Sequence, residues 1–228
     1  MTQSHPPVNF LSLPTLHSRI AEHIGQKIIS GELPPGTPIA ESRLARELGV
    51  GRGSVREAML MLECRWLVEV PPRRKPVVRP IDAESIKEQA SVMSAVLSLC
   101  LARCCDGLSD RPDFELPPRS FTTRLRHQSV EAWLEAAHDY IQVCLNALGC
   151  HYLSDMLERL MPSWFRLSVI VSRHPDADLL KAKRETEQIW QALANGDFGE
   201  SKRILDEQLK DWTRLAIESV SAGVSAPN

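Results

Sequence analysis

The sequence predicts a mostly α-helical protein: an N-terminal winged helix-turn-helix followed by an all-α helical bundle. Three observations carry this prediction. In Gly49-Val50-Gly51-Arg52-Gly53-Ser54-Val55-Arg56-Glu57-Ala58-Met59-Leu60 a glycine turn precedes a helix whose first turns hold two arginines. Their i,i+4 spacing puts Arg52 and Arg56 on one face. Downstream, two short β-rich segments, Trp66-Leu67-Val68-Glu69-Val70 and Val77-Val78, flank a basic tip. From residue 81 onward, apolar residues recur at helical spacing with no convincing strand. A short helix, a glycine turn and a second helix that is basic at its start form the pattern that reads the DNA major groove. The alternative for this stretch alone is a solvated amphipathic helix with incidental arginines.

In chain order, residues 1–14 read as a disordered leader, and residues 15–80 as the winged helix-turn-helix. Leu16, Ile20, Ile24 and Ile28 define a first helix over Thr15 to Ser30, stopped by Gly31. Leu33-Pro34-Pro35-Gly36-Thr37-Pro38 is a rigid turn. The second helix, from Glu41 to Leu48, uses Leu44 and Leu48 as core contacts and ends at Gly49. The third runs from Gly53 to Arg65 and packs through Val55, Met59 and Leu62. The hairpin tip, Pro71-Pro72-Arg73-Arg74-Lys75-Pro76, can reach phosphates or a neighbouring groove.

Residues 16–79 resemble the DNA-binding domain of the GntR family of bacterial transcription regulators. The resemblance rests on Ile28-Ile29-Ser30-Gly31-Glu32-Leu33-Pro34-Pro35-Gly36, on Glu41, Leu44-Ala45 and Leu48-Gly49-Val50, and on Arg52, Val55-Arg56-Glu57-Ala58-Met59 and Leu62. It implies DNA contacts by Arg52, Gly53, Ser54 and Arg56, with Arg43 the nearest basic residue in the second helix. Gly51 and Gly53 stand where that family carries hydroxyl residues, so the third helix lacks a side-chain cap there, at a cost of about 0.5–1 kcal/mol. The family's wing-tip glycine is absent, and Arg73, Arg74 and Lys75 favour phosphate contact instead.

Residues 81–220 read as an all-helical effector-binding and dimerisation domain, with 221–228 as a frayed tail. The predicted helices are Asp82 to Cys105, a short basic one at Ser120 to His127, Ser129 to Leu148, His151 to Met161, Ser163 to Arg173, Pro175 to Asn195 and Phe198 to Ser219. Gly107 to Pro118 is a loop, and Pro162 is expected to split two helices. A helical bundle behind such a winged helix resembles the FCD effector domain, through Asp139 to Leu153 and Ala192-Leu193-Ala194-Asn195-Gly196-Asp197. Domains of that kind commonly hold a divalent metal, and the matching offsets fall on His138, Gln142, Thr186 and Gln208. Only His138 is a strong transition-metal ligand. The expectation is therefore no metal cofactor. Three arrangements stay open: mutual satisfaction in a core, a metal-free effector pocket, or a site rebuilt from His138 with His127, His151 or Cys144. Met93 and Leu97 replace charged residues of the resembled domain, which makes the pocket more apolar and argues against a small dicarboxylate.

The charge distribution fits this organisation. Residues 1–80 hold 11 Lys and Arg against 7 Asp and Glu, while residues 81–228 hold the other 16 against 22. A basic front and an acidic back place a polyanion partner at the front. The six cysteines form no CxxC pair and read as reduced, mostly buried thiols, with a metal or redox role for Cys100 and Cys104 as the lesser alternative. No apolar run near membrane-spanning length and no signal-peptide pattern stand out, so a cytoplasmic protein without a membrane partner is expected. No phosphate loop, GxSxG or HExxH supports an enzyme. The expected function is a homodimeric regulator of double-stranded operator DNA that senses a small molecule. The alternative is a DNA-binding dimer whose bundle senses nothing.

Overall fold

The computed structural model describes residues 15–108 and 130–222. The expected leader, most of the loop after Gly107, the short basic helix, His127, the cap at Ser129 and the last six residues lie outside that range.

Helix α1 (Leu16–Ile29) begins at Thr15, whose hydroxyl accepts from Ser18 N at 3.3 Å. It buries Ile20, Ala21, Ile24 and Ile28, while Leu16 stays exposed. Helix α2 (Glu41–Leu48) ends at Gly49, where φ of 65° closes the turn. That left-handed conformation is what glycine supplies at a helix end. Helix α3 (Arg52–Cys64) starts one residue earlier than the spacing suggests and buries Val55, Ala58, Met59 and Leu62 against α1. Strands β1 (Val68–Glu69) and β2 (Val77–Val78) pair antiparallel, Val68 opposite Val78 and Glu69 opposite Val77. The wing is anchored from both sides. Ile39 N donates to Pro76 O at 2.7 Å, and Val70 N donates to the Glu63 carboxylate at 2.9 Å.

The remaining described helices form a bundle: α4 (Ala83–Leu108), α5 (Val130–Ala147), α6 (His151–Val171), α7 (Leu179–Ala194) and α8 (Phe198–Ser221). Aspartate caps start three of them, and at α4 Asp82 accepts from Ser85 N at 2.8 Å. Asp178 accepts from Lys181 N at 2.8 Å and Asp197 from Glu200 N at 2.9 Å. Ile86, Met93, Leu145, Leu157 and Trp190 sit at the centre of the core.

Two expectations are corrected. Pro162 does not split a helix: α6 runs through it unbroken. Leu157, Leu160 and Met161 on one side of the proline and Trp164 and Leu167 on the other are all buried in the same core. The carbonyl that loses its helical partner belongs to Glu158, an exposed residue, so the lost bond falls on the solvent side of the helix. Helix α4 is also long and apolar enough to cross a membrane by length and composition. Its charges Glu84, Lys87 and Glu88 crowd the first turns and leave an apolar stretch behind them. In the fold one side of that stretch packs on α8, α6 and α5, and only 28% of it is buried.

The two hydrophobic clusters meet where α1 lies on α6. Ile29 packs against both. Arg166 Nη1 donates to Arg79 O at 2.8 Å, and Arg173 Nη2 donates to Ser30 O at 3.0 Å.

Candidate DNA-reading surface and bundle cavity

Helix α3 presents its first turn outward. Arg52 and Arg56 are exposed, and among the described residues no carboxylate pairs with either. Glu57, next to Arg56, pairs instead with His17 at 3.0 Å. Gly51 is the N-cap with no side-chain bond, so the first N–H groups of the helix remain open. At Gly51 and Gly53 a Cβ would meet nothing within 4 Å, and neither has a positive φ. The fold therefore does not demand glycine at either place. Open N–H groups at a helix start are a natural phosphate seat. Ser54 is half-buried beside them, and Arg43 on α2 is exposed and pairs with Glu47 at 3.3 Å. The wing tip exposes Arg73, Arg74 and Lys75. Arg73 takes φ of 60°, so an arginine occupies the tip's left-handed position. For a residue with a Cβ this costs roughly 1–2 kcal/mol.

The second feature lies in the bundle, a cavity of about 90 Å³ between α4, α5, α6, α7 and α8. Its walls include Leu97, Trp133, Trp164, Trp190, Leu205 and Trp212, and Trp133 and Trp212 stack at 5.9 Å in a tilted pair. His138, Thr186 and Gln208 reach it; Gln142 does not. Gln142 turns to the start of α6, where Nε2 donates to Ser154 O at 3.0 Å and Oε1 accepts from the Ser154 hydroxyl. Those two bonds fix the orientation of the amide. The same Nε2 meets His138 Nε2 at 3.1 Å, which makes that imidazole nitrogen the acceptor and leaves the proton on Nδ1. Burial holds the His138 pKa below its ordinary value, against the pull of Asp139 and Glu158. Gln208 Nε2 donates to Ala182 O at 2.8 Å and approaches Thr186 Oγ1 at 3.4 Å, while the Thr186 hydroxyl donates to Ala182 O at 3.0 Å.

This donor set does not fit a divalent metal. The lone pair of His138 Nε2 is engaged by an N–H, and Gln208 aims an N–H toward Thr186 rather than an oxygen at a shared point. Among the described residues no group of three or more His, Cys, Asp or Glu is arranged to hold an ion. Among the described residues the rebuilt alternative is not assembled either; His127 lies outside them. His151 is exposed at the start of α6, and the Cys144 thiol shares a hydrogen bond with that of Cys104. Burial pushes the Cys100 thiol up to about 12, and the bond to Cys144 pushes Cys104 up as well. High pKa values make these thiols inert at neutral pH.

Residues 16–78 match the model of a family described as bacterial regulatory proteins, gntR family. Residues 16–78 are thus a DNA-binding domain of the GntR type. The chain is similar to the HTH-type transcriptional repressor RspR of Escherichia coli K12, 19% identical over 212 residues, which are 86% of this chain and 93% of that protein. It also resembles the HTH-type transcriptional regulator Mce2R of Mycobacterium tuberculosis, 43% identical over 65 residues, 28% of this chain and 26% of that one. The fold is similar to that of E. coli McbR/YncC, with a TM-score of 0.71 at 17% identity over 91% of this chain and 100% of that one. These relatives are regulators rather than enzymes at the level of the family.

Sequence reasoning missed two polar groups at the cavity. Trp133 Nε1 and Ser168 Oγ have no hydrogen-bond partner among the described residues, although the two residues are only 3% and 1% exposed, and both residues line the cavity. Helical spacing placed Trp133 and Ser168 on inward faces, but which inward polar atom lacks a partner depends on neighbours from other helices. A third missed residue is Arg166, which is buried at the junction and has Nη2 unpartnered.

Proposed function

We propose that this regulator works in the cytoplasm as a homodimer that binds a short two-fold symmetric operator. Residues 15–80 bind the DNA, and residues 81–220 form an FCD-type domain that dimerises and senses a small metabolite. The observation that carries the DNA part is the unpaired, outward pair Arg52 and Arg56 at the open start of α3. Arg52 and Arg56 read base edges in the major groove. The N–H groups from Arg52 to Ser54 seat a phosphate, and Gly53 lets the backbone approach. Arg43 with Arg73, Arg74 and Lys75 contacts the flanking backbone. Dimerisation is supported by α4, whose outer side leaves Leu99 51% exposed and Val92 and Val96 half-exposed in the single chain. Two-fold symmetry then matches the symmetry of the operator.

A second reading is a bundle that dimerises and senses nothing. The mutual satisfaction of His138 with Gln142 and of Thr186 with Gln208 favours it.

Fragments of the source genome selected by the full chain, then titrated by gel shift while light scattering reports mass, test the DNA-binding reading. A dimer on each palindromic fragment is expected, with affinity falling steeply with salt. A monomer, or binding without sequence preference, would refute it.

A further inference from the structure

We infer that the bundle cavity recognises a small, uncharged, largely hydrocarbon molecule carrying one hydrogen-bond acceptor, read by Trp133 Nε1–H and the Ser168 hydroxyl rather than by a metal or an ion pair. The inference rests on the sensing reading above and specifies its ligand.

Four features point the same way. No Lys, Arg, Asp or Glu side chain lines the cavity, so a charged ligand would be buried without a counter-charge. The polar groups at the family's metal positions are already engaged. His138 Nε2 accepts from Gln142, and Thr186 and Gln208 share Ala182 O. Among the fully buried polar atoms without a partner in the described residues, two belong to lining residues, Trp133 Nε1 and Ser168 Oγ. An indole N–H only donates, so the ligand atom opposite it must be an acceptor. Buried unpaired donors cost free energy, which an acceptor at this place recovers. Four tryptophans, Trp133, Trp164, Trp190 and Trp212, supply flat apolar walls. These faces would also attract a cation, but no carboxylate lines the site to complete a cation box. The volume of about 90 Å³ suits a molecule no larger than a single small ring.

The test uses a matched series of probes on the full chain, followed by ligand-observed NMR titration: cyclopentanone, cyclopentane, cyclopentanecarboxylate and cyclopentylamine. Cyclopentanone should bind more tightly than cyclopentane by about three- to tenfold, the size of one net hydrogen bond. In Trp133→Phe, which keeps the ring and removes the donor, that advantage should fall toward one. Ser168→Ala should reduce it in part, and it stands alone if Trp133→Phe does not fold. Added zinc or manganese should change nothing. Tighter binding of the carboxylate or the amine, binding that needs a divalent ion, a ketone advantage that survives both substitutions, or no binding of any probe would each overturn the inference. Operator affinity measured in parallel separates this from the sensing reading. If the carboxylate wins and also shifts operator affinity, the bundle senses but the ligand class is wrong. If Ala137→Leu, which fills the cavity, leaves operator affinity and the response to every probe unchanged, sensing itself fails.

Discussion

The winged helix and the bundle treat polar side chains in opposite ways. At the front, Arg52, Arg56, Arg73, Arg74 and Lys75 stand exposed with no carboxylate paired to them among the described residues. In the bundle, His138, Gln142, Thr186 and Gln208 are bound to one another or to backbone carbonyls. Solvent explains the contrast. Water satisfies an exposed guanidinium until phosphates replace it, so a DNA-reading surface tolerates unpaired charge. A buried amide has no such reserve and must find its partner within the fold. A free polar group therefore means little at the surface and a great deal in the interior.

The largest effect is expected where that interior is densest. Trp190 is buried and meets Tyr140 edge-on at 4.5 Å. Trp190→Ala should cost about 3–5 kcal/mol of bundle stability by denaturant unfolding. A loss below about 1 kcal/mol would mean that the bundle is not the tightly packed partner in the contrast. Next come the reading arginines. Arg52→Ala and Arg56→Ala should each weaken operator binding by about 1–3 kcal/mol in gel shifts at fixed salt, with the melting temperature unchanged. Folded variants that bind as the parent does would remove α3 from the reading surface.

The wing sharpens the front half of the comparison. Replacing Arg73, Arg74 and Lys75 by Ala should weaken binding to all DNA sequences alike. The slope of log K against log salt should become shallower by roughly one unit per lost phosphate contact. A loss confined to the operator would show that the tip reads bases.

The smallest effect belongs to His138. Its folded pKa lies below the ordinary histidine value of 6.5 because burial disfavours the imidazolium. As pH falls through that ordinary value, the unfolded chain takes up a proton that the folded chain refuses. Stability therefore declines with falling pH and levels off below the lowered pKa. His138→Gln should remove this part of the slope between neutral and mildly acid pH in thermal melts. Identical slopes in parent and variant would place His138 in water rather than in the core.

How far the sequence reveals these features depends on what each requires. The front was legible because turn chemistry is local: Gly49 ends α2 with φ of 65°, and the offsets of Val55, Met59 and Leu62 gave the buried face of α3. The inward positions of Thr186 and Gln208 followed from helical period in the same way. Pro162 was misread because tertiary packing on both of its flanks outweighs one lost backbone bond. Gln142 was placed in the pocket because the period gives a direction, whereas Ser154 of another helix decides where the amide ends up. The same limit hid the unpartnered atoms of Trp133 and Ser168.

The joint between the two cores has an energetic consequence of its own. Arg166 is 4% exposed and holds the Arg79 carbonyl, yet its Nη2 and Arg79 Nε have no partner. Burial and the neighbouring Arg79 bring its pKa down to about 10, so it stays cationic at neutral pH without a counter-ion among the described residues. An uncompensated buried charge is expensive to keep dry. Opening this joint would return the Arg166 charge to water. Local opening starts where compensation is poorest. Helix α6 carries this arginine within one turn of Trp164 and Ser168 at the cavity. A shift of that helix that moved Arg166 would be felt first at the Arg79 carbonyl, where the chain leaves the wing.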